Sequence, residues 1–184
     1  MAFDHIDHFL RRNDNGLALS DLLINFLVCL RHFMLFHERT PLYGCGKTGC
    51  LETYASAIGV ARTAREWLET TSEPSILRSL AEQITSKDVY EAASNGDYLA
   101  IKVFEYTGKK LGEAFADFVA FSAPEAIVLF GGLARSGDIL LKPIEEHMNA
   151  NLLPLWKNKV KIIFSQLKES DAAILGASAL GWEL

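Results

Sequence analysis

The sequence predicts an α/β fold in which parallel strands are covered by packed helices, and three observations predict it. Residues 126–130, Ala-Ile-Val-Leu-Phe, form a continuous β-prone apolar run, the pattern of a strand buried on both faces of a sheet. A second apolar run lies within "KVKIIFSQL" at 159–167. Helical periodicity separates the two runs and also precedes and follows them, giving the helix, strand, helix, strand, helix order of an α/β unit.

Each element has its own signal. Leu51, Tyr54, Ala55, Ile58, Ala61 and Ala64 recur at spacings of three and four, which predicts one amphipathic helix over 51–68. Ser72, with Pro74 two residues on, predicts the start of a second helix. Ser86 opens a third, short helix that Asn95-Gly96 ends. A long helix follows over about 97–121, with Ile101, Phe104, Leu111, Phe115, Phe118 and Val119 on its inner side. Gly131-Gly132 stops the first strand, residues 138–149 form the crossover helix, and "DAAILGASALGW" closes the chain as a helix packed through small residues.

A length of 184 residues is one domain by size, yet the composition changes near residue 40. Residues 1–40 hold four of the five histidines and five of the eleven phenylalanines but one of the thirteen glycines. Two kinds of sequence are therefore expected, 1–40 and 41–184, the first resembling what a truncation or a reading-frame shift leaves behind. A net charge of −5 argues against a nucleic-acid binder, which needs a basic face. The apolar stretch 21–36 is interrupted by Asp21, Asn25, Arg31 and His32, and falls short of the roughly 20 residues of a membrane span. Three cysteines, an odd number, do not make a disulfide framework and point to a reducing, cytoplasmic compartment.

Two stretches could carry chemistry. A buried strand ending in Gly131-Gly132 suits a nucleotide site, because glycine lets backbone approach a phosphate or a base and such sites lie beyond the carboxyl ends of strands. A tight strand-to-helix turn without a ligand explains the same glycines. "GCGKTG" at 44–49 contains Gly-Lys-Thr, but it follows no predicted strand and has the wrong glycine spacing for a phosphate loop. Its cysteines, Cys45 and Cys50, are spaced to share one tetrahedral metal, for which His32, His37 and Cys29 are the nearby further candidates. Two reduced, half-buried thiols are the alternative.

"CGKTGCLETYASAIGVARTAREWLE" resembles the cysteine motif of the ROK family of repressors and sugar kinases, its bacterial glucokinases in particular. "PEAIVLFGGLARSGD" resembles that family's strand and adenosine loop, and "ESDAAILGASALG" its closing helix. The likeness runs from about residue 42 to 184, the latter half of such a kinase. It implies the carboxyl-terminal lobe of an actin-like, ribonuclease H-like ATPase fold, and phosphorylation of glucose or a related hexose by ATP with Mg²⁺ in the intact family member.

Residue by residue, the resemblance makes Cys45 and Cys50 ligands of a Zn²⁺ ion. Tyr43 stands where the family has its first cysteine, and His32 lies near the histidine ligand but one position off, without the preceding Glu-x-Gly. Glu52 matches the glutamate after the last cysteine. Gly131 and Gly132 match the adenosine-binding glycines, with Leu133 and Gly176 as neighbours. Gly108 and Gly112 match places where the long helix passes the nucleotide, or serve close helix packing. The family's Asp-x-Gly-Gly-Thr phosphate loop has no counterpart in the sequence, and Asp14 in "NDN" is the one candidate for the catalytic base. The expected partners are ATP and a hexose, with a homodimer formed through the lobe, and neither nucleic acid nor membrane. A non-catalytic binding or dimerisation module is the alternative. A repressor ranks behind both, since 1–40 lacks a helix pair with a basic recognition face.

Overall fold

The computed structural model describes residues 49–80 and 83–165. Asp14, His32, Cys45, Gly176, the closing helix and the change at residue 40 lie outside them. Within them the order is α1 (Glu52–Ala55), α2 (Ala57–Thr70), a 3₁₀ turn (Ile76–Ser79), α3 (Ser86–Ser94), α4 (Tyr98–Ser122), β1 (Ala126–Leu129), a second 3₁₀ turn (Gly132–Ser136), α5 (Asp138–Asn151) and β2 (Lys161–Phe164). The strands pair in parallel with Ile127 opposite Ile162 and Leu129 opposite Phe164, and α5 is the crossover between them. This is the α/β alternation that the sequence predicts.

The core forms where α4 meets its neighbours. Val103, Phe104, Leu111, Phe115 and Val119 of α4 join Leu140, Ile144 and Met148 of α5, Ile127 and Ile162 of the strands, Val60 and Ala64 of α2 and Val89 of α3. Gly108 and Gly112 set how closely α4 and α5 approach. A Cβ on Gly108 would stand 2.7 Å from the Pro143 ring, and one on Gly112 would stand 2.7 Å from the Ile144 carbonyl oxygen and the Met148 nitrogen. Pro143 lies inside α5 and donates no backbone hydrogen bond; its ring is the surface that α4 receives.

Three expectations are corrected. The helix over 51–68 is two helices, because Ser56 is extended and caps α2, its hydroxyl accepting from Gly59 N at 3.0 Å. Ile58, in the first turn of α2, is consequently turned outward and 76% exposed. No helix starts at Ser72: Pro74 disfavours helix at the residue before it, and Ser75 caps only a 3₁₀ turn. The Arg78 guanidinium holds that connection extended by donating to the carbonyls of Leu68 (3.0 Å), Thr71 (2.6 Å) and Glu73 (2.8 Å). Finally, β1 is not buried on both faces. Ile127 is its one buried residue, and among the described residues β1 pairs with β2 alone.

Other boundaries follow local chemistry. Thr85 and Asp88 form a reciprocal capping box at α3, and the Asp88 carboxylate accepts from Thr85 N at 2.8 Å. Gly96, at φ 85°, terminates α3. Asp97 then caps α4 by accepting from Ala100 N at 3.0 Å while its second oxygen accepts from Ile76 N at 2.8 Å, joining α4 to the 3₁₀ turn.

Candidate functional site

At the carboxyl end of β1 the chain turns through Gly131 at φ 98°, passes the 3₁₀ turn, and enters α5 through Gly137 at φ 56°. Both are left-handed conformations that side chains resist, so glycine is required there. A Cβ built on Gly131, Gly132 or Gly137 would meet nothing within 4 Å, so the loop presents bare backbone to open space. Leu133 anchors it by packing against the core, and Ser136 is buried behind it. The amino end of the 14-residue α5 adds its dipole on the same side as this loop. Such an arrangement can accept an anionic or flat ligand with little steric cost. Gly108 and Gly112 are not part of this opening; both face α5.

The second candidate is the segment around Cys50. Cys50 and Leu51 are fully buried, and Thr53 and Tyr54 nearly so. The Thr53 hydroxyl donates to the Cys50 carbonyl at 2.5 Å, closing a tight turn into α1. Arg62 of α2 donates to the Thr53 carbonyl and pairs through Nε with Glu66 at 3.2 Å. A Cβ on Gly59 would stand 2.6 Å from the Thr53 oxygen, so only glycine lets α2 pass beneath α1. One carboxylate oxygen of Glu52 is buried without a hydrogen-bond partner among the described residues, an acceptor left for a ligand or for chain outside them. No group of three His, Cys, Asp or Glu capable of holding a metal exists among the described residues.

Sequence reasoning missed the groups that hold this segment from beneath. Tyr54 meets Tyr106 of α4 edge-on at 6.1 Å, and Trp67 of α2 lies 5.5 Å from Tyr106. Lys110, one turn after Tyr106, is only 6% exposed, and its ammonium lies over both tyrosine rings. Burial pushes both phenols above the ordinary tyrosine range. The one available signal was the spacing of Tyr106 and Lys110, four apart on the long helix. Farther along α4, burial and then the neighbouring Glu113 push the Asp117 carboxyl upward. A groove of about 640 Å³ lined by Pro124, Ala126, Trp156 and Lys161 lies at the amino ends of the strands, away from the glycine loop.

Comparison with known proteins agrees with this geometry. Residues 30–183 match the family model described as "ROK family". The chain is 37% identical to the glucokinase of Halalkalibacterium halodurans over 153 residues, 82% of this chain and 45% of that protein. It is 31% identical to the DNA-binding transcriptional dual regulator NagC of Escherichia coli over 74% of this chain and 32% of NagC. Among solved structures, a ROK family glucokinase from Streptomyces griseus in complex with glucose and AMPPNP is similar with a TM-score of 0.69 at 28% identity, covering 80% of this chain and 49% of that one. The chain thus spans less than half the length of the curated relatives named here, and its fold is that of one lobe of the actin-like ATPase architecture. A glycine loop after a parallel strand, a cysteine turn before a helix and a match over most of the chain converge: the chain belongs to the ROK family.

Proposed function

We propose that this chain is the nucleotide-side lobe of a glucokinase-like ROK protein, one that in its intact form transfers the γ-phosphoryl group of ATP to a hydroxyl of glucose or a related hexose. The observation that carries this is the open backbone of Gly131 and Gly132 at the carboxyl end of β1, with α5 entering behind it. Gly131, Gly132 and Leu133 would line the adenosine side, joined by Gly176. Gly108 and Gly112 contribute indirectly, by setting the α4–α5 distance beside the loop.

Phosphoryl transfer rests on positioning and charge neutralisation by groups from two lobes, with Mg²⁺ supplying the cation between the phosphates. The Asp-x-Gly-Gly-Thr loop that performs half of this in the family has no counterpart in the sequence. Asp14 is the one candidate base. The chain alone is therefore proposed to bind nucleotide without turning over hexose. The cysteine loop, with Cys45, Cys50 and His32 as donors, is proposed as a zinc knuckle short of one ligand, and Glu52 as a hydrogen-bonding group beside it.

A coupled assay of ATP- and Mg²⁺-dependent glucose phosphorylation by the purified, folded chain tests this. No turnover above background is expected. Turnover abolished by Asp14→Ala would show that residues 1–40 supply the base and would end the half-machinery reading. The match to NagC favours a second reading, a non-enzymatic sugar-sensing or dimerisation lobe. Nucleotide binding separates the two, since a sensing lobe needs none.

A further inference from the structure

We propose that Lys110 is a positioning residue for the Cys50 segment, pinning the helical turn that follows Cys50 onto α4. The inference rests on the reading above that this segment carries a ligand-binding residue. Lysine is almost never buried without partners, and Lys110 is 6% exposed. Its ammonium lies 5.8 Å from the ring centre of Tyr54 and 5.7 Å from that of Tyr106, with the Glu113 carboxylate at 3.4 Å. Tyr54 belongs to α1 and Tyr106 to α4, so the cation joins α1 to α4, and Trp67 of α2 packs on the same Tyr106 ring.

This contact bears more on α1 than on the rest of the fold. Four residues cannot hold a helix by themselves, because nucleating a turn is unfavourable without outside contacts. A cation over an exposed ring contributes little, whereas a desolvated one contributes several-fold more. Loss of Lys110 does not strand Glu113, since Lys109 lies 3.9 Å from its other oxygen. The substitution removes the ring contacts and the Glu113 pair, and it is the rings that lead through Tyr54 and Thr53 to the buried Cys50.

The test uses the full chain and reads the alkylation rate of Cys50 by iodoacetamide, resolved by mass spectrometry of its peptide, together with amide exchange over the chain. Lys110→Met is expected to raise the Cys50 rate by about tenfold, the effect of losing a desolvated cation–π contact. Exchange in α3 and α5 should be unchanged. Lys110→Arg should restore protection to within about threefold, because guanidinium stacks on the same rings, and Lys109→Met should have no effect. If Lys110→Met does not fold, Tyr54→Leu reads the same contact from the other side and should expose Cys50 in the same way. An unchanged Cys50 rate, or a rise matched by faster exchange throughout α4 and α5, overturns the proposal. Zinc content of the unmodified chain, measured in parallel, keeps the two ideas apart. Protection that depends on Lys110 keeps the pin whether or not zinc is bound, while a zinc content that Tyr43→Cys fails to raise removes the zinc reading. Zinc bound with protection indifferent to Lys110→Met removes the pin and keeps the zinc reading.

Discussion

Gly112 shows how much a single missing side chain decides. Alanine there gains roughly 1 kcal/mol of helix propensity but places a methyl 2.7 Å from the α5 backbone, which cannot yield as a side-chain tip could. Overpacking of this kind costs about 1–3 kcal/mol, so Gly112→Ala should lower the midpoint of urea denaturation with an unchanged slope. Gly131 makes the contrasting case. Its added Cβ meets nothing, but φ 98° is strained for any other residue, so Gly131→Val should weaken nucleotide binding through loop geometry. The sequence offered Gly131 as a strand stop and left Gly112 open between nucleotide approach and helix packing; that choice was not legible, because it depends on which helix lies opposite. Tyr43 was legible, as a departure from a pattern. Zinc retained after dialysis should be well below one per chain, and Tyr43→Cys should bring it to one, as metal analysis would show; equal zinc in both proteins would contradict the missing-ligand explanation.

Elements were legible where a cap and a period agreed. Helices α3, α4 and α5 and both strands fall within a few residues of where periodicity and turn residues put them. The errors came where a local hydrogen bond defeated a pattern, as Ser56 and Arg78 do by holding backbone out of helix. Capping supplies a pH prediction. The Thr85 hydroxyl and backbone N–H donate to the Asp88 carboxylate and hold its pKa below the ordinary aspartate value. A depressed folded pKa means that this stability is present above the unfolded value, about 4, and is lost as pH falls through the folded one. Asp88→Asn should therefore cost a cap's ~1 kcal/mol or less at neutral pH and flatten the acid limb of the stability profile below about pH 4, as chemical denaturation at a series of pH values would reveal. Asp97 spans two elements, so Asp97→Ala loses the α4 cap and the bond to Ile76 together, about 1–2 kcal/mol.

At the scale of the molecule, the α/β class was visible in two apolar runs and the helix between them, but the burial of β1 was not. A short apolar run reports only that a strand is β-prone, and what covers its second face is a property of other chain segments. Phe121 is 94% exposed at the end of α4, and Ile163 and Leu155 also face outward near the base of the strands. Apolar surface of this kind favours association, so sedimentation should show oligomers that Phe121→Ser reduces. Nucleotide binding by this lobe is the property proposed above. Its most direct test is calorimetric titration of the folded chain with AMPPNP and Mg²⁺. Binding with a Kd on the order of 1 mM or tighter, weakened at least tenfold by Gly131→Val, is the predicted result. A folded chain that takes up no nucleotide would contradict it.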